Sequence, residues 1–304
     1  KRLWISSQTD SAIKAGFDTL KDGKSYDPLY DSARSRAEAD WIVGINATRA
    51  YSIKFSRGRG VMSVGRVQTP VLKLIVDRYR EHINFDSKPF YEIFLDLNHK
   101  NGEFQVKWFG TKTDRFTDQS EAKKIEDKLM NESQAVIQSL TQKKVLEKQP
   151  LLYDLTELQK DANKQFKYSA DQTLKIMQEL YEKHKILSYP RTSSRYLSSD
   201  IAPKCPELLN KVSGLTEFSD AINTIKEQNY SIAKRMIDDK KVTDHHAIIP
   251  TDKTPNIGEL PTDHKNIYLM VIRRFLSAFL PECEKSHTEI IASAADEVFK
   301  ATGT

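Results

Sequence analysis

The hydropathy period of this chain changes three times, from helical to alternating, back to helical, and to alternating again. From Ser35 to Ser52, SRAEADWIVGINATRAYS puts Ala37, Trp41 and Ile45 on one stripe at four-residue spacing, which predicts a helix. The glycine-bearing SRGRGVMSVG reads as a loop. Thr69 and Pro70 then predict an N-cap and a first helical residue, with Val71, Leu74 and Ile75 as the apolar face of a helix to Arg80. After His82 the stretch FYEIFLDLNHKNGEFQVKWFG shows two strand-like runs around Asn101-Gly102, a hairpin signal, and AVIQSLTQKKVLE is β-prone again. From Pro150, LTELQKDANKQF predicts a helix behind Asp154 or Thr156. SADQTLKIMQELYEKHK predicts another, with Ser169 and Gln172 at capping-box spacing. The short link KYS and the strand-like ILSYP give this part a winged helix-turn-helix character. HKNIYLMVIRRFLSAFL reads as an amphipathic helix and SHTEIIASAADEVFKATGT as strand. The order implies a multidomain α+β chain in which a β-rich domain is entered, left for a helical domain, and re-entered.

The 304 residues suffice for two or three domains. With 38% hydrophobic and 29% charged residues, the composition is that of a soluble globular protein. No run of about 18 apolar residues exists, and KRLWISSQTD lacks the apolar stretch of a signal peptide. Cys205 and Cys283 have no Cys or His neighbours at metal-ligand spacing, which excludes a zinc ribbon in this sequence and argues against a disulfide. A reducing, cytoplasmic setting is expected. The net charge of +5 is less informative than its distribution. Arg49, Lys54, Arg57, Arg59, Arg66, Lys73, Arg78 and Arg80 face only Asp77 between residues 49 and 80, a one-sided stretch that suits a polyanion.

Three short segments carry chemistry. In Leu187-Ser188-Tyr189-Pro190-Arg191-Thr192, a tyrosine can attack a phosphodiester and conserve the broken bond as a phosphotyrosine. Arg191 offers a permanently charged fork for the phosphate oxygens, and lies on the same face as Tyr189 if the segment is extended. Pro190 restricts the backbone of Tyr189 toward extended conformations. In Asp244-His245-His246-Ala247-Ile248-Ile249-Pro250-Thr251, the adjacent histidines diverge, so they make a poor metal pair. One can serve a phosphate while the other packs. In Ser63-Val64-Gly65-Arg66-Val67-Gln68-Thr69-Pro70, a glycine, an arginine and a glutamine precede a helix N-terminus, a good seat for phosphate.

Taken in order, RLWISSQT with AIKAGF, SRAEADWIVGINATRAYS, SVGRVQTPVLKLIVDR, the run from LYDLTELQK to YPRTSSRYLSSD, and DHHAIIPT resemble the type IA DNA topoisomerases, and within them the topoisomerase III branch. The blocks reach from Arg2 to about Thr251. The resemblance implies the type IA core fold: helical domains with winged-helix-like elements, joined by a β-rich arch. It implies a single-strand-binding helical domain begun in residues 1–82, the arch in 83–149, a tyrosine-bearing domain in 150–258 and a return to the arch in 259–304. It implies transient cleavage of one DNA strand through a 5′-phosphotyrosine, strand passage and religation. Tyr189 matches the nucleophile, Arg191 the arginine at the scissile phosphate, and His245 the family's active-site histidine. Trp41, Arg49, Arg57 and the loop Ser63, Val64, Gly65, Arg66, Val67 and Gln68 match residues that grip single-stranded DNA; Asp40 and Asn46 share that block. A helicase is a further implied partner of the whole protein, and a nucleoid-associated cytoplasmic location its implied setting.

The family's magnesium is held by a toprim domain with an acidic D-x-D cluster, and this chain has no D-x-D. The expectation is therefore an internal portion of a longer protein, starting just after the toprim domain, with no metal site of its own and inactive by itself. Two other readings use the same residues. A tyrosine recombinase or type IB topoisomerase also joins Tyr, Arg and His to phosphate, but with the tyrosine near the C-terminus and a 3′ link. A non-catalytic single-strand binder would use the basic stretch and exposed aromatics alone.

Overall fold

A computed structural model describes residues 1–5, 8–110, 113–242 and 244–304. The chain divides by packing into two units, Lys1–Lys24 with Leu146–Glu284, and Ser25–Val145 with Lys285–Thr304. The first unit opens with α1 (Asp10–Asp18), capped by Thr9, whose hydroxyl accepts from Ala12 N. Of the RLWISSQT block, Ser6 and Ser7 lie outside the described residues.

In the second unit, α2 (Asp27–Phe55) extends the expected helix at both ends. Pro28 sits in its first turn, where a missing N–H costs nothing. α3 (Gln68–Ile83) starts before Thr69, so Thr69 is not its cap: the N-cap is Val67, with no side-chain hydrogen bond. Thr69 Oγ1 instead accepts from Gly65 N at 3.0 Å. The hairpin of β1 (Phe94–His99) and β2 (Gly102–Trp108) pairs His99 with Gly102. Its turn residues are thus Lys100 and Asn101, one position earlier than the Asn-Gly signal, and Gly102 follows at φ 141°. After α4 (Gln119–Leu129) comes β3 (Val136–Glu147). With β4 (Cys283–Ala294) and β5 (Glu297–Gly303) these strands form one sheet in the order β1-β2-β5-β4-β3. Val106, Ala292, Ala294 and Phe299 are its buried centre.

The larger core belongs to the first unit. α5 (Leu155–Phe166) is capped by Asp154, whose carboxylate accepts from Glu157 N at 2.7 Å. It ends at Lys167 in the left-handed region, φ 63°, and the chain reverses into α6 (Ala170–Glu182). Ser169 caps α6 by accepting from Gln172 N at 3.1 Å. The buried face of α6, Thr173, Ile176, Met177, Leu180 and Tyr181, follows the helical period. α7 (Cys205–Lys211), α8 (Ser219–Glu227) and α9 (Thr262–Ser277) complete the core. Each fully buried Leu or Ile here contributes about 1.5–3 kcal/mol.

Two sequence expectations shift. α9 buries Ile267, Tyr268, Val271, Phe275 and Leu276 in the core that holds α5 and α6, so the chain passes back to the sheet-bearing unit at Lys285 rather than at 259. ILSYP forms no named strand; Leu187 makes only an isolated antiparallel bridge to Pro250. Its backbone partner is the DHHAIIPT segment, which the periodicity of either segment alone does not reveal.

Candidate active site and nucleic-acid interface

Residues 185–197 and 244–251 are stitched together along their length within the first unit. Ser188 N donates to Ile249 O at 2.9 Å, and Ile249 N donates to Ser188 Oγ at 3.0 Å. Thr251 N donates to Ile186 O at 3.1 Å, and Ala247 N to Tyr196 O at 2.9 Å. Thr192 Oγ1 donates to the carbonyl of His245 at 3.0 Å. This lattice fixes the backbones that carry Tyr189 and His245.

Burial alternates through the tyrosine segment: Pro190, Thr192 and Ser194 face inward, whereas Tyr189 is partly exposed and Arg191 and Ser193 are exposed. Extended backbone explains the alternation and puts Tyr189 and Arg191 on one outward face. Arg191 has no carboxylate partner among the described residues.

The two histidines part company as diverging neighbours must. His245 lies against Tyr189, with ring centroids 4.3 Å apart and planes tilted by 40°. His246 is 8% exposed, and its Nδ1 lies 2.7 Å from Ala247 O. Desolvation lowers the pKa of His245, and the neighbouring Asp244 charge opposes that shift; burial also lowers that of His246. A second tyrosine, Tyr181 of α6, meets Tyr189 edge-on with ring centroids 5.4 Å apart, and burial raises its pKa. The indole of Trp4 stacks on His245, with centroids 6.1 Å apart and planes 16° from parallel. Neither Trp4 nor Tyr181 was marked by local sequence; both are reached only through tertiary packing.

The other predicted residues lie in the second unit. Asp40, Gly44, Thr48 and Ser52 recur every four residues along one face of α2, and the loop that follows the helix runs back along this stripe. Met62 N donates to Ser52 Oγ at 2.9 Å, Val64 N to Thr48 Oγ1 at 3.0 Å, and Arg66 pairs with Asp40 at 2.9 Å. At Gly44 an added Cβ would stand 3.6 Å from Val64 O, an ordinary contact, so the loop passes close to the helix there without requiring glycine. Gln68 Nε2 donates to Ser63 Oγ at 2.6 Å, closing the loop at the start of α3. Val67 is 69% exposed and Trp41 68%. Asn46 Nδ2 donates to its own helix at Ile42 O, 2.8 Å, which gives that residue a local role. Arg49 and Arg57 are exposed, and Arg57 has a positive φ of 51°. Of the basic stretch, Lys73 pairs with Asp77 and Arg78 with Glu81, while Arg49, Lys54, Arg57, Arg59 and Arg80 have no carboxylate partner among the described residues.

A sequence profile described as DNA topoisomerase matches residues 24–304. The chain belongs to the DNA topoisomerase family. This is the type IA family that its ordered motifs resemble. It is 44% identical over 306 residues to DNA topoisomerase 3 of Shouchella clausii (strain KSM-K16) and 43% identical over 305 residues to DNA topoisomerase 3 of Bacillus subtilis (strain 168). Each alignment covers 100% of this chain and 41% of the relative, so the chain spans about two-fifths of the curated relatives' length. The fold matches full-length topoisomerase I of Thermotoga maritima with a TM-score of 0.73 at 22% identity, covering 99% of this chain and 48% of that one.

Among the described residues no group of three or more His, Cys, Asp or Glu side chains could hold a metal ion. No helix among them is long and apolar enough to cross a membrane.

Proposed function

We propose that the whole protein is a DNA topoisomerase that cuts one strand through Tyr189. The observation that carries this reading is the ring contact between Tyr189 and His245 on a backbone lattice, with Arg191 on the same outward face. The Tyr189 oxygen attacks the scissile phosphorus. The P–O3′ bond breaks, the phenolic proton is delivered to the departing 3′ oxygen, and the 5′ phosphate stays on the tyrosine. Religation reverses each transfer. Arg191 stabilises the added charge on the phosphorus oxygens, and His245 donates to a non-bridging oxygen or relays the proton. Strand passage between the two steps gives relaxation or decatenation.

The exposed side chains of Trp41, Arg49 and Arg57, with the loop Ser63 to Gln68, form the proposed grip on the single strand; Asp40 holds Arg66 in that loop. Magnesium is the cation expected in the whole protein. The described residues do not supply a site for it, and no step above passes through it. A helicase partner and a nucleoid-associated cytoplasmic location belong to the same proposal, as does the expectation that this chain alone binds single strands without efficient cleavage.

End-labelling of a cleaved single strand tests the reading in the full-length protein. After denaturation, a 3′ label stays on the protein and a 5′-labelled piece leaves with a free 3′ hydroxyl; Tyr189→Phe abolishes the adduct and leaves binding nearly intact. Retention of the 5′ label instead would transfer the chemistry to the type IB class. An adduct that survives Tyr189→Phe would remove the tyrosine from the reaction.

A further inference from the structure

Residues 1–5 and 8–24 meet the tyrosine and histidine segments, the latter from more than two hundred residues away in sequence. Trp4 Nε1 donates to Asp244 O at 3.2 Å. Ser11 hydrogen-bonds the carboxylate of Asp252, and Lys185 approaches Asp10 at 3.7 Å. The motif chemistry above assigns no function to this strap.

We propose that Trp4 is a positioning residue for His245: its indole, anchored on the carbonyl of Asp244, stacks on the imidazole and holds that ring against Tyr189. Two observations meet here. The near-parallel stack, at 16° between planes, restricts the tilt of the imidazole, while the hydrogen bond fixes the indole to the residue immediately before the histidine. An exposed histidine side chain otherwise exchanges between rotamers. One that must meet a phosphate and a phenol in turn gains rate from being held in place. Trp4 is itself 36% exposed, and Arg2 lies over its ring at 5.3 Å from the centroid, so the indole is a partly solvated plate rather than a core residue.

Among the described residues, the rings of Trp4 and Tyr189 both lie against the imidazole, with Asp244 beside it in the chain. Burial lowers the pKa of His245 and the Asp244 charge acts against it, and an indole stacked on the ring excludes water from it. Removing the indole therefore moves the titration midpoint up, toward the ordinary value of 6.5.

The inference rests on the proposed role of His245, and its test separates the two. In the chain itself, imidazolium quenches a stacked indole more than neutral imidazole does. Intrinsic fluorescence should therefore show an acid quenching step that is absent from His245→Gln. NMR titration of the imidazole should show a higher midpoint in Trp4→Ala than in the unmodified chain. Trp4→Phe, which keeps a ring but loses the N–H, should fall between, and it also serves as the variant of record should the alanine form not fold. In the full-length protein, Trp4→Ala should slow formation of the covalent adduct about tenfold with single-strand affinity unchanged, part of the ~100-fold or more that a placed acid–base group contributes. An unmoved His245 midpoint in both Trp4 variants, or a quenching step that survives His245→Gln, would overturn the positioning role whatever the cleavage data show. Normal titration shifts with unchanged cleavage would leave the stack in place and overturn its part in positioning His245 for the reaction, and loss of cleavage in His245→Ala would then still keep the histidine in it.

Discussion

The imidazole of His245 rests against the phenol of Tyr189 at 4.3 Å between ring centroids, while His246, one residue on, is turned into the interior. The two histidines should therefore fail differently. In the full-length protein, His245→Ala should slow cleavage and religation about 100-fold with little change in thermal stability. His246→Ala empties a packed polar site and should cost about 2 kcal/mol of stability, with a much smaller effect on the cleavage rate of the protein that remains folded. Single-turnover cleavage beside thermal unfolding measures both. Equal loss of cleavage in the two variants at matched folded fraction would contradict the assignment.

The same burial makes stability depend on pH. The pKa values of His184, His245 and His246 are all lowered, chiefly by desolvation. As pH falls through the ordinary histidine value of about 6.5, the unfolded chain binds protons that the folded chain does not. Stability present above that value is then lost on acidification, before the carboxylates titrate. The unfolding temperature of the first unit should drop between about pH 7 and pH 5, where histidines titrate. His246→Gln, which removes a titrating group, should flatten the slope. An unfolding temperature that is constant over this window would refute the linkage.

The helices were legible where local chemistry decides them. Asp154, one of the two cap candidates of α5, is its cap, Ser169 caps α6 at the predicted spacing, and the α6 stripe from Thr173 to Tyr181 is the buried face. The turn of the β1–β2 hairpin was misplaced by one residue because the Asn-Gly signal competes with the strand register, in which Gly102 pairs with His99. The pairing of Tyr189 with His245 was not legible from either segment's periodicity. It depends on backbone bonds between residues 61 apart, such as Ser188 to Ile249, and came within reach only through the resemblance of ordered motifs. Trp4 was less legible still, since a single aromatic in a polar segment carries no local sign that it will stack on a distant histidine.

The two cysteines should react very differently. Cys205 is buried in the first unit's core, its Sγ donates to Ile201 O at 3.7 Å, and burial pushes its pKa up to about 12. Cys283, at the start of β4, is exposed. Because the thiolate is the reactive form, a thiol reagent at neutral pH should modify Cys283 in the folded chain and reach Cys205 only on unfolding. Mass mapping after brief labelling measures this, and rapid modification of Cys205 under native conditions would show that the core opens there.

The stripe on α2 makes a prediction about DNA that separates charge from geometry. Arg49 and Arg57 have no carboxylate partner among the described residues, whereas Arg66 is paired with Asp40 at 2.9 Å. If these side chains meet phosphates, Arg49→Ala and Arg57→Ala should each weaken single-strand binding and lower the log–log salt slope by about 0.7. Asp40→Asn should strengthen binding at low salt, because it releases the Arg66 charge. Thr48→Val removes no charge. It takes away the hydroxyl that accepts from Val64 N and should loosen the loop that carries Arg66 and Gln68. Its expected effect is weaker binding with an unchanged salt slope, since ordering the loop then costs entropy on each encounter. Fluorescence anisotropy with a labelled oligonucleotide across a salt series distinguishes the outcomes. A slope that is the same in both arginine variants as in the unmodified chain would remove this face of the second unit from the binding groove, and a Thr48→Val variant that binds as well as its parent would show that the loop needs no holding.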